Sequence, residues 1–314
     1  MKKHFKLAGF VFVLIFAILT FRYFHIGELL NEGKRFFASS LFWWTCAAYG
    51  LAFLFRALAW KIYIYKPVRF SSCVQGVFIS LFINHITPIK AGDILRTGIL
   101  ASKEKDISID EAAHSVVVMR LIDMVVLLVF SATGLLFLGM EIKAELSGGI
   151  AAGALCLIII AVFSMKKYMP AFFLKHLTMV KHAVRQKNSL YILPLVIGSW
   201  ILESFVLWNI LKSMELSFAF VNSIWVNSLT VGGQVFQVTP GGISTYESVM
   251  TAALVLTGIG GNDAYTASLL SHSFKFIFSY ISGLMLILTS PAHMIGELRR
   301  NGFWGKKVQN EKRI

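Results

Sequence analysis

Ionisable side chains recur inside the long apolar segments of this sequence of 314 residues. A charge at the centre of a bilayer costs about 2.5–3.5 kcal/mol on insertion scales, so charges at that depth usually serve a function. The first half carries four cations and two acids of this kind: Arg56, Lys90, Arg96, Arg120, Asp93 and Asp123. Because cations are in excess and arginine offers a bidentate fork, this set favours the binding of a phosphate group.

Sequence spacing suggests partners for some of these charges. Asp93 and Arg96 are three residues apart, as are Arg120 and Asp123, so each pair can meet on one face of a helix. Arg56 has no acid at such a spacing and is expected to bind the ligand. Two structural alternatives stay open: Arg56 could extend to the membrane surface, and Arg120 could serve only to pair with Asp123.

Two prolines interrupt apolar stretches in similar surroundings. Thr87-Pro88 lies within residues 71–100, and Thr239-Pro240-Gly241-Gly242 lies within residues 219–258. Proline stops the incoming helix, and the helix that restarts carries roughly half a positive charge at its N-terminus. The two glycines of the second break let a ligand approach the backbone. The pattern predicts an anion site between two half-helix N-termini, with a packed structural kink as the alternative.

The second half carries its own intramembrane charges. Glu203, Glu247 and Lys275 lie in apolar segments, and His272 is close to Lys275. They could pair with the cations of the first half, or they could handle a proton or a cationic headgroup. A histidine in such a segment is more often a packing residue than a ligand, and Glu203 and Lys275 could face a helix bundle for structural reasons alone.

The composition excludes an ordinary soluble enzyme. The chain is 56% hydrophobic and 15% charged, whereas soluble domains are about 25% charged. A net charge of +14 would suit nucleic acid in a soluble protein, but here the basic residues lie mostly in short loops and tails, which indicates membrane orientation and no nucleic-acid partner. The three cysteines lie in apolar segments without a CxxC pair, so we expect no disulfide, no metal and no other cofactor.

Hydropathy predicts an all-α polytopic membrane protein with a single transmembrane domain over residues 1–314. Six segments are long enough to cross about 30 Å of hydrocarbon: 7–24, 38–60, 112–138, 147–165, 190–211 and 264–290. The first resembles a signal peptide but is followed by bulky residues, so we expect an uncleaved helix. The stretch 71–100 is predicted to be a re-entrant hairpin because its second arm is too short to cross. The stretch 219–258 is predicted to be a re-entrant hairpin or a full helix pair.

The distribution of Lys and Arg predicts that both termini are cytoplasmic. In that orientation the cytoplasmic segments hold 20 Lys and Arg and the opposite loops hold 5, which is a strong positive-inside bias. The basic loop 166–189 is expected either to lie on the anionic lipids of the inner leaflet or to be solvated, and 291–314 is a basic tail. We therefore predict a multi-pass protein of the cell membrane.

The two breaks suggest an internal repeat. Each follows an apolar arm that contains Asn and Gln, and each places ionisable residues within eight positions of its proline. The predicted topology brings one hairpin in from the cytoplasm and the other from outside, which is typical of inverted repeats whose broken helices meet near the bilayer midplane. The first repeat is assigned to residues 38–138 and the second to residues 190–290.

Four motifs, in the same order along the chain, make the sequence similar to the lysylphosphatidylglycerol synthase transmembrane family. This is the flippase-like membrane domain of multiple peptide resistance factors, also found as stand-alone proteins. The first motif is the segment Arg56-Ala57-Leu58-Ala59-Trp60-Lys61. The family pattern Pro-x-Arg-x-Gly-Glu-x-x-Arg is matched by Pro88, Lys90, Gly92, Asp93 and Arg96. Glu-Arg-x-x-Asp is matched by Arg120 and Asp123, and Pro-Gly-Gly-x-Gly-x-x-Glu is matched by Pro240, Gly241, Gly242 and Glu247.

The chain also departs from the family pattern. Met119 and Ser244 stand where the family often has Glu and Gly, and His272 stands where Arg is expected. The resemblance implies a protein that moves or holds a lipid with an anionic or aminoacylated headgroup of the lysylphosphatidylglycerol type. It does not imply lysyl transfer, because in the full-length enzymes that chemistry belongs to a soluble domain that this sequence lacks.

The leading hypothesis is therefore a lipid flippase or transporter with no catalytic residue. The candidate binding residues are Arg56, Lys90, Asp93, Arg96, Arg120, Asp123, Thr239, Gly241, Gly242 and Glu247, with Pro88, Gly92 and Pro240 as structural hinges. One alternative is a transferase that adds an aminoacyl (lysyl) or glycosyl group to a lipid phosphate, although no transferase motif is found. Another is a non-transporting partner of a separately encoded synthase. The sequence leaves the oligomeric state open.

Overall fold

A computed structural model describes residues 26–87, 90–137, 166–167, 170–234 and 239–289 of the chain. Within these ranges the chain forms ten α-helices, two short 3-10 helices and no strand. The α-helices are α1 (Ile26–Ala38), α2 (Ser40–Tyr63), α3 (Phe70–Ile86), α4 (Ala91–Lys103), α5 (Ile109–Phe137), α6 (Pro170–Arg185), α7 (Ile192–Ser213), α8 (Phe220–Gly233), α9 (Thr245–Leu256) and α10 (Gly261–Thr289). The 3-10 helices are Lys187–Tyr191 and Pro240–Gly242.

Four of these helical segments are long and apolar enough to cross a bilayer. They are Ser40–Tyr63, Ile109–Gly134, Lys187–Ser213 and Gly261–Thr289. They coincide with four of the predicted crossings, namely 38–60, 112–138, 190–211 and 264–290. The other two predicted crossings, 7–24 and 147–165, lie outside the described residues.

The outer faces of the long helices are apolar. On α5, the side chains of Leu121, Val125 and Leu128 are exposed, and on α10 those of Ile281 and Leu288 are exposed. A water-soluble protein would present polar residues there, whereas acyl chains are suitable neighbours for these side chains. The chain is therefore an integral membrane protein built from α-helices.

Two helix pairs surround the proline breaks, and their arms are short. Helix α3 packs against α4, and α8 packs against α9. Helices α4, α8 and α9 have 13, 14 and 12 residues. At 1.5 Å per residue they are about 18–21 Å long, which is less than the hydrocarbon thickness of about 30 Å. Within the described residues of 219–258 neither arm reaches the full hydrocarbon thickness. The entry of the first pair from the cytoplasmic face and of the second from the opposite face stays a prediction.

The first break follows directly from the proline. Thr87 adopts an extended conformation, as expected for a residue that precedes proline. Its hydroxyl donates to the carbonyl oxygen of Ile83 at 2.8 Å and so closes the end of α3. Pro88, one of the predicted hinges, lies outside the described residues, and the chain is helical again from Ala91.

The second break is more irregular than the first. Thr239 is extended before Pro240, and a 3-10 turn follows. Gly241, Gly242 and Ser244 all have positive φ angles, of 63°, 79° and 76°. Glycine adopts this region freely, but serine does so only at a cost of about 1–2 kcal/mol. The positive φ angles of the bend therefore explain why glycine stands at positions 241 and 242, and they leave Ser244 strained.

The helices pack in a reciprocal pattern. Helix α2 packs along α7 at the centre of the molecule. Helix α5 packs against the hairpin arm α8, and α10 packs against the corresponding arm α3. Likewise α4 packs on α5, and α9 packs on α10. This arrangement leaves a cavity between the two hairpins and the central pair.

Candidate functional site

A polar cavity lies between the two helix hairpins and the long helices. It encloses about 950 Å³ of space, with the open space at its mouth included. Six of the predicted binding residues line it, namely Arg56, Lys90, Arg96, Arg120, Asp123 and Gly241, together with Glu203 and Lys275.

The two breaks meet at this cavity. A Cβ atom on Gly241 would lie 2.9 Å from the carbonyl oxygen of His85, near the end of α3, and would collide with the ring of Phe276. The 3-10 turn at Pro240 also packs against α3. Glycine is therefore needed at position 241 because the second break approaches the first so closely.

Arg120 joins α5 to the first restarted helix. Its Nε and Nη2 atoms donate to the two carboxylate oxygens of Asp93, each at 2.8 Å. Its Nη1 atom lies 3.7 Å from Asp123. Asp93 also accepts from the hydroxyl of Ser80 on α3 at 3.0 Å, and Asp123 accepts from the indole of Trp200 at 3.1 Å. The local pair between Asp93 and Arg96 that the spacing suggested is not formed, because Asp93 turns to Arg120 instead.

A second ion cluster joins the two halves at the centre. Arg56 Nη2 lies 2.6 Å from Glu203, and Lys275 Nζ lies 2.8 Å from the other oxygen of that carboxylate. Lys275 also donates to the amide oxygen of Asn227 at 3.0 Å. The guanidinium of Arg56 lies 3.9 Å above the ring of Trp200. Arg56 therefore pairs across the structure and does not extend to the surface, and Glu203 is the partner that spacing did not assign.

Arg96 and Lys90 have no carboxylate partner among the described residues. Arg96 is buried, with 6% of its surface exposed, and its Nε atom has no hydrogen-bond partner. Its guanidinium stacks on the ring of Trp60 at 3.9 Å. Gly76 on α3 makes room for this stack, since a Cβ there would lie 2.9 Å from Trp60 and 3.3 Å from Arg96. The stack holds a positive charge against the cavity without neutralising it.

At each break a protein side chain already accepts one backbone N–H at the start of the restarted helix. In α4 the N–H of Gly92 donates to the side-chain oxygen of Asn84 at 2.9 Å. Before α9 the N–H of Ser244 donates to Glu247 at 2.6 Å. Asp93 and Glu247 each occupy the third position of their helix, where a carboxylate offsets the positive end of the dipole. Protein acceptors therefore take up some of the N–H groups at both breaks, and cationic side chains also supply positive charge to the cavity.

The remaining predicted residues have structural contacts. Gly92 lies in the first turn of α4, where a side chain would collide with the backbone of Ser80. Thr239 is fully buried and its hydroxyl donates to the carbonyl oxygen of Ile243 at 2.6 Å. Gly242 is buried beside the side chain of Gln234, whereas Pro240 is exposed. None of these side chains lines the cavity.

His272 links the second restarted helix to the backbone of its break. Its Nδ1 atom lies 2.6 Å from Glu247 and its Nε2 atom lies 3.1 Å from the carbonyl oxygen of Gly241. Its ring stacks on Tyr246 with centroids 4.1 Å apart. Both ring nitrogens face oxygen acceptors, so all three polar contacts are satisfied when the pair holds two protons and is net neutral.

Sequence reasoning flagged His272, Glu203 and Lys275 as charges without assigning them to the site. One signal was present: His272 and Lys275 are three residues apart, as are Arg120 and Asp123 on the other long helix. The sequence also contained a signal for the polar contacts of α3, because Ser80 and Asn84 lie one helical turn apart in an apolar segment.

The basic segment after residue 166 lies against the ends of α2 and α5. Lys175 on α6 pairs with Asp110 at 3.0 Å. The imidazoles of His176 and His114 meet at 2.8 Å. Partial burial lowers the pKa of His176, and the neighbouring charge of Lys175 lowers it further. The other cationic side chains of α6, Lys181 and Arg185, are exposed.

Among the described residues, no group of three His, Cys, Asp or Glu side chains is arranged to hold a metal ion. The long apolar helices and the polar cavity between broken helices together define a polytopic membrane protein with an internal polar site. Residues 6–283 match the family described as the lysylphosphatidylglycerol synthase TM region. The chain belongs to this family, as the four motifs indicated.

The chain is also similar to UPF0104 membrane protein PH1989 from Pyrococcus horikoshii. The two are 24% identical over 282 residues, which cover 76% of this chain and 84% of the relative. No solved structure matches the chain.

Proposed function

We propose that the protein is a lipid flippase or transporter that binds the phosphate of an anionic headgroup in the cavity between the two breaks. The observation that carries this proposal is Arg96, a buried cation that lines the cavity and has no carboxylate partner among the described residues. A buried unpaired charge is costly, and an anionic ligand would offset that cost. Lys90, at the start of α4, is a second cation of the cavity lining that has no carboxylate partner in the described part of the chain.

The other charges hold this site in shape. Arg120 is fixed by Asp93, and Arg56 is fixed by Glu203, so these guanidiniums present their remaining N–H groups from set positions. The charged and polar lining of the cavity suits a headgroup, while the acyl chains would stay among the exposed apolar side chains of the long helices. Anionic lipids of the inner leaflet would be neighbours of the exposed cations on α6.

Alternating access would come from two repeats of opposite orientation. The reciprocal packing of α5 on α8 and of α10 on α3 supports this proposal. So does the matched position of Asp93 and Glu247, each third in a restarted helix and each bonded to the long helix beside it. Rocking of one half against the other about the α2–α7 contact would open the cavity to each leaflet in turn. The positive-inside bias favours cytoplasmic termini in the cell membrane.

Reconstitution into liposomes tests the proposal. A fluorescent anionic phospholipid should change leaflet faster in vesicles with the protein than in empty vesicles. Replacement Arg96→Gln should slow this at least about tenfold, because a charged hydrogen bond contributes about 1.5–3 kcal/mol. The matched control Lys105→Gln removes an exposed cation outside the cavity and should leave the rate unchanged. Wild-type vesicles that flip no faster than empty ones would exclude the proposed activity.

The family description favours a second candidate, in which the protein handles an aminoacylated lipid together with a synthase. This candidate predicts that lysylphosphatidylglycerol is moved or bound better than the lipid without its lysyl group. The same liposome assay, with labelled forms of both lipids, separates the two candidates.

A further inference from the structure

We infer that the cavity selects a lipid whose headgroup ends in a doubly charged phosphate, a phosphomonoester, over a phosphodiester or an aminoacylated headgroup. The inference rests on the proposed function, since it takes the cavity to be the site of a lipid phosphate. It concerns the chemical class of the ligand, which the family description does not give for this chain.

The first step is the pairing of charges. Five cations line the cavity, namely Arg56, Lys90, Arg96, Arg120 and Lys275. Three of them, Arg56, Arg120 and Lys275, contact three carboxylates: Glu203, Asp93 and Asp123. These two clusters are neutral together, and the pair of Glu247 and His272 is neutral when it holds two protons. Lys90 and Arg96 therefore leave two positive charges without a partner among the described residues.

The second step is the charge that such a site favours. A cation in surroundings of low polarity is stabilised by an opposite charge far more than it would be in water. A phosphomonoester carries close to two negative charges above its second pKa of about 6. A phosphodiester carries only one negative charge, and it would leave one of the two cations unbalanced. Two unpaired cations thus match a terminal phosphate.

The third step is the supply of donors. Arg96 offers a guanidinium whose Nε–H has no acceptor, and Lys90 offers three N–H donors. A terminal phosphate has three free oxygens to accept these hydrogen bonds, whereas a diester has two. The fixed guanidinium of Arg120 borders the same cavity and can add a donor.

The last step concerns cationic headgroups. The carboxylates that face the cavity or support its cations, Asp93, Asp123, Glu203 and Glu247, each already contact a cation or a histidine. The ammonium groups of a lysylated lipid would find no free carboxylate among them, and they would add charge beside Lys90 and Arg96. An aminoacylated headgroup is therefore disfavoured.

Binding to the detergent-solubilised full chain at pH 7.5 tests this inference with matched probes. Phosphatidate carries a terminal phosphate, and phosphatidylmethanol differs from it by one methyl ester and one charge. We expect phosphatidate to bind about tenfold or more tightly than phosphatidylmethanol, because one charged hydrogen bond is lost. Lysylphosphatidylglycerol should bind more weakly than either. Inorganic phosphate is the arm that detects a site for free phosphate: it should bind more weakly than phosphatidate, because it lacks acyl chains.

Variants assign the preference to the two unpaired cations. Arg96→Gln and Lys90→Gln should each reduce the preference for phosphatidate over phosphatidylmethanol to about twofold or less, and Lys105→Gln should preserve it. Thermal unfolding of each variant checks that the fold is intact, and Lys90→Gln serves if Arg96→Gln does not fold.

The outcomes separate the inference from the proposed function. Equal binding of the two matched lipids, with flipping intact, overturns the inference and leaves the flippase proposal standing. Tighter binding of inorganic phosphate than of phosphatidate overturns the lipid assignment. No binding of any probe and no flipping overturns both.

Discussion

The two proline breaks share their geometry but differ in chemistry. Asp93 is third in α4 and Glu247 is third in α9, and each bonds to the long helix beside it. The partner in the first half is Arg120, which is charged at every physiological pH. The partner in the second half is His272, whose ring is stacked on Tyr246. The same arrangement thus carries an arginine–carboxylate pair on one side and a histidine–carboxylate pair on the other.

The residues that surround these two pairs also differ. The first pair lies beside Lys90 and Arg96, which have no acid partner in the described part of the chain. In the second pair, the other ring nitrogen of His272 contacts the carbonyl oxygen of Gly241 in the break. In the proposed function the first half would hold the ligand, whereas in the second half His272 holds the backbone of its own break.

The largest expected effect comes from matched amide replacements of the two carboxylates. Asp93→Asn removes the charge that balances Arg120, which is one-third exposed, and should lower the free energy of unfolding by about 2–3 kcal/mol. Glu247→Gln retains hydrogen-bond partners for Ser244 and His272 and should cost only about 1 kcal/mol. Unfolding of both variants in the same detergent measures the difference.

A double variant tests the cause of that difference. If Asp93 acts by balancing Arg120, the pair Asp93→Asn with Arg120→Gln should be less destabilised than the sum of the single variants predicts. Equal losses for Asp93→Asn and Glu247→Gln would contradict the distinction between the arginine pair and the histidine pair.

The residues explain which parts of this site could be predicted from sequence. The position of each break follows from local chemistry, because proline removes a backbone donor and disfavours the helical conformation of the residue before it. The burial of charges was also predictable, since Arg56, Arg96 and Glu203 lie within apolar runs. These local features predicted the positions of four long apolar helices and of both breaks, and the structure confirms these positions.

The pairing of charges could not be predicted, because it depends on how distant helices pack. Arg56 and Glu203 are 147 residues apart, and no spacing rule connects them. Asp93 had two possible cations, and the contact of α4 with α5 favoured Arg120. One local contact could be predicted: an acid at the third position of a helix is a capping signal, and Glu247 does accept the backbone N–H of Ser244.

A second comparison concerns glycines on corresponding hairpin arms. Gly76 on α3 faces the Trp60–Arg96 stack, whereas Gly232 on α8 has no atom within 4 Å of a built Cβ. Gly76→Ala should destabilise the protein by about 1–2 kcal/mol through overpacking. Gly232→Ala should stabilise it by about 0.5–1 kcal/mol through helix propensity.

The variants Gly76→Ala and Gly232→Ala also test the proposal that the first half holds the ligand. Displacement of the stack should also weaken phosphatidate binding in Gly76→Ala, because Arg96 loses its fixed position. Gly232→Ala should bind as the wild type does. Thermal unfolding and lipid binding measured on both variants check these expectations, and normal binding by Gly76→Ala would show that the stack does not position Arg96.

The smallest expected effect tests the strain that distinguishes the second break. Ser244 has a φ of 76°, and the related family pattern has glycine at this position. Ser244→Gly keeps the backbone N–H that donates to Glu247 and removes the steric cost of a Cβ at positive φ. A few tenths of a kcal/mol are lost at the cap, so the net gain should be about 0.5–1 kcal/mol in unfolding free energy. A more stable variant that flips lipid more slowly would indicate that the strain at this break helps the two halves to move, whereas a destabilised variant would contradict the strained geometry.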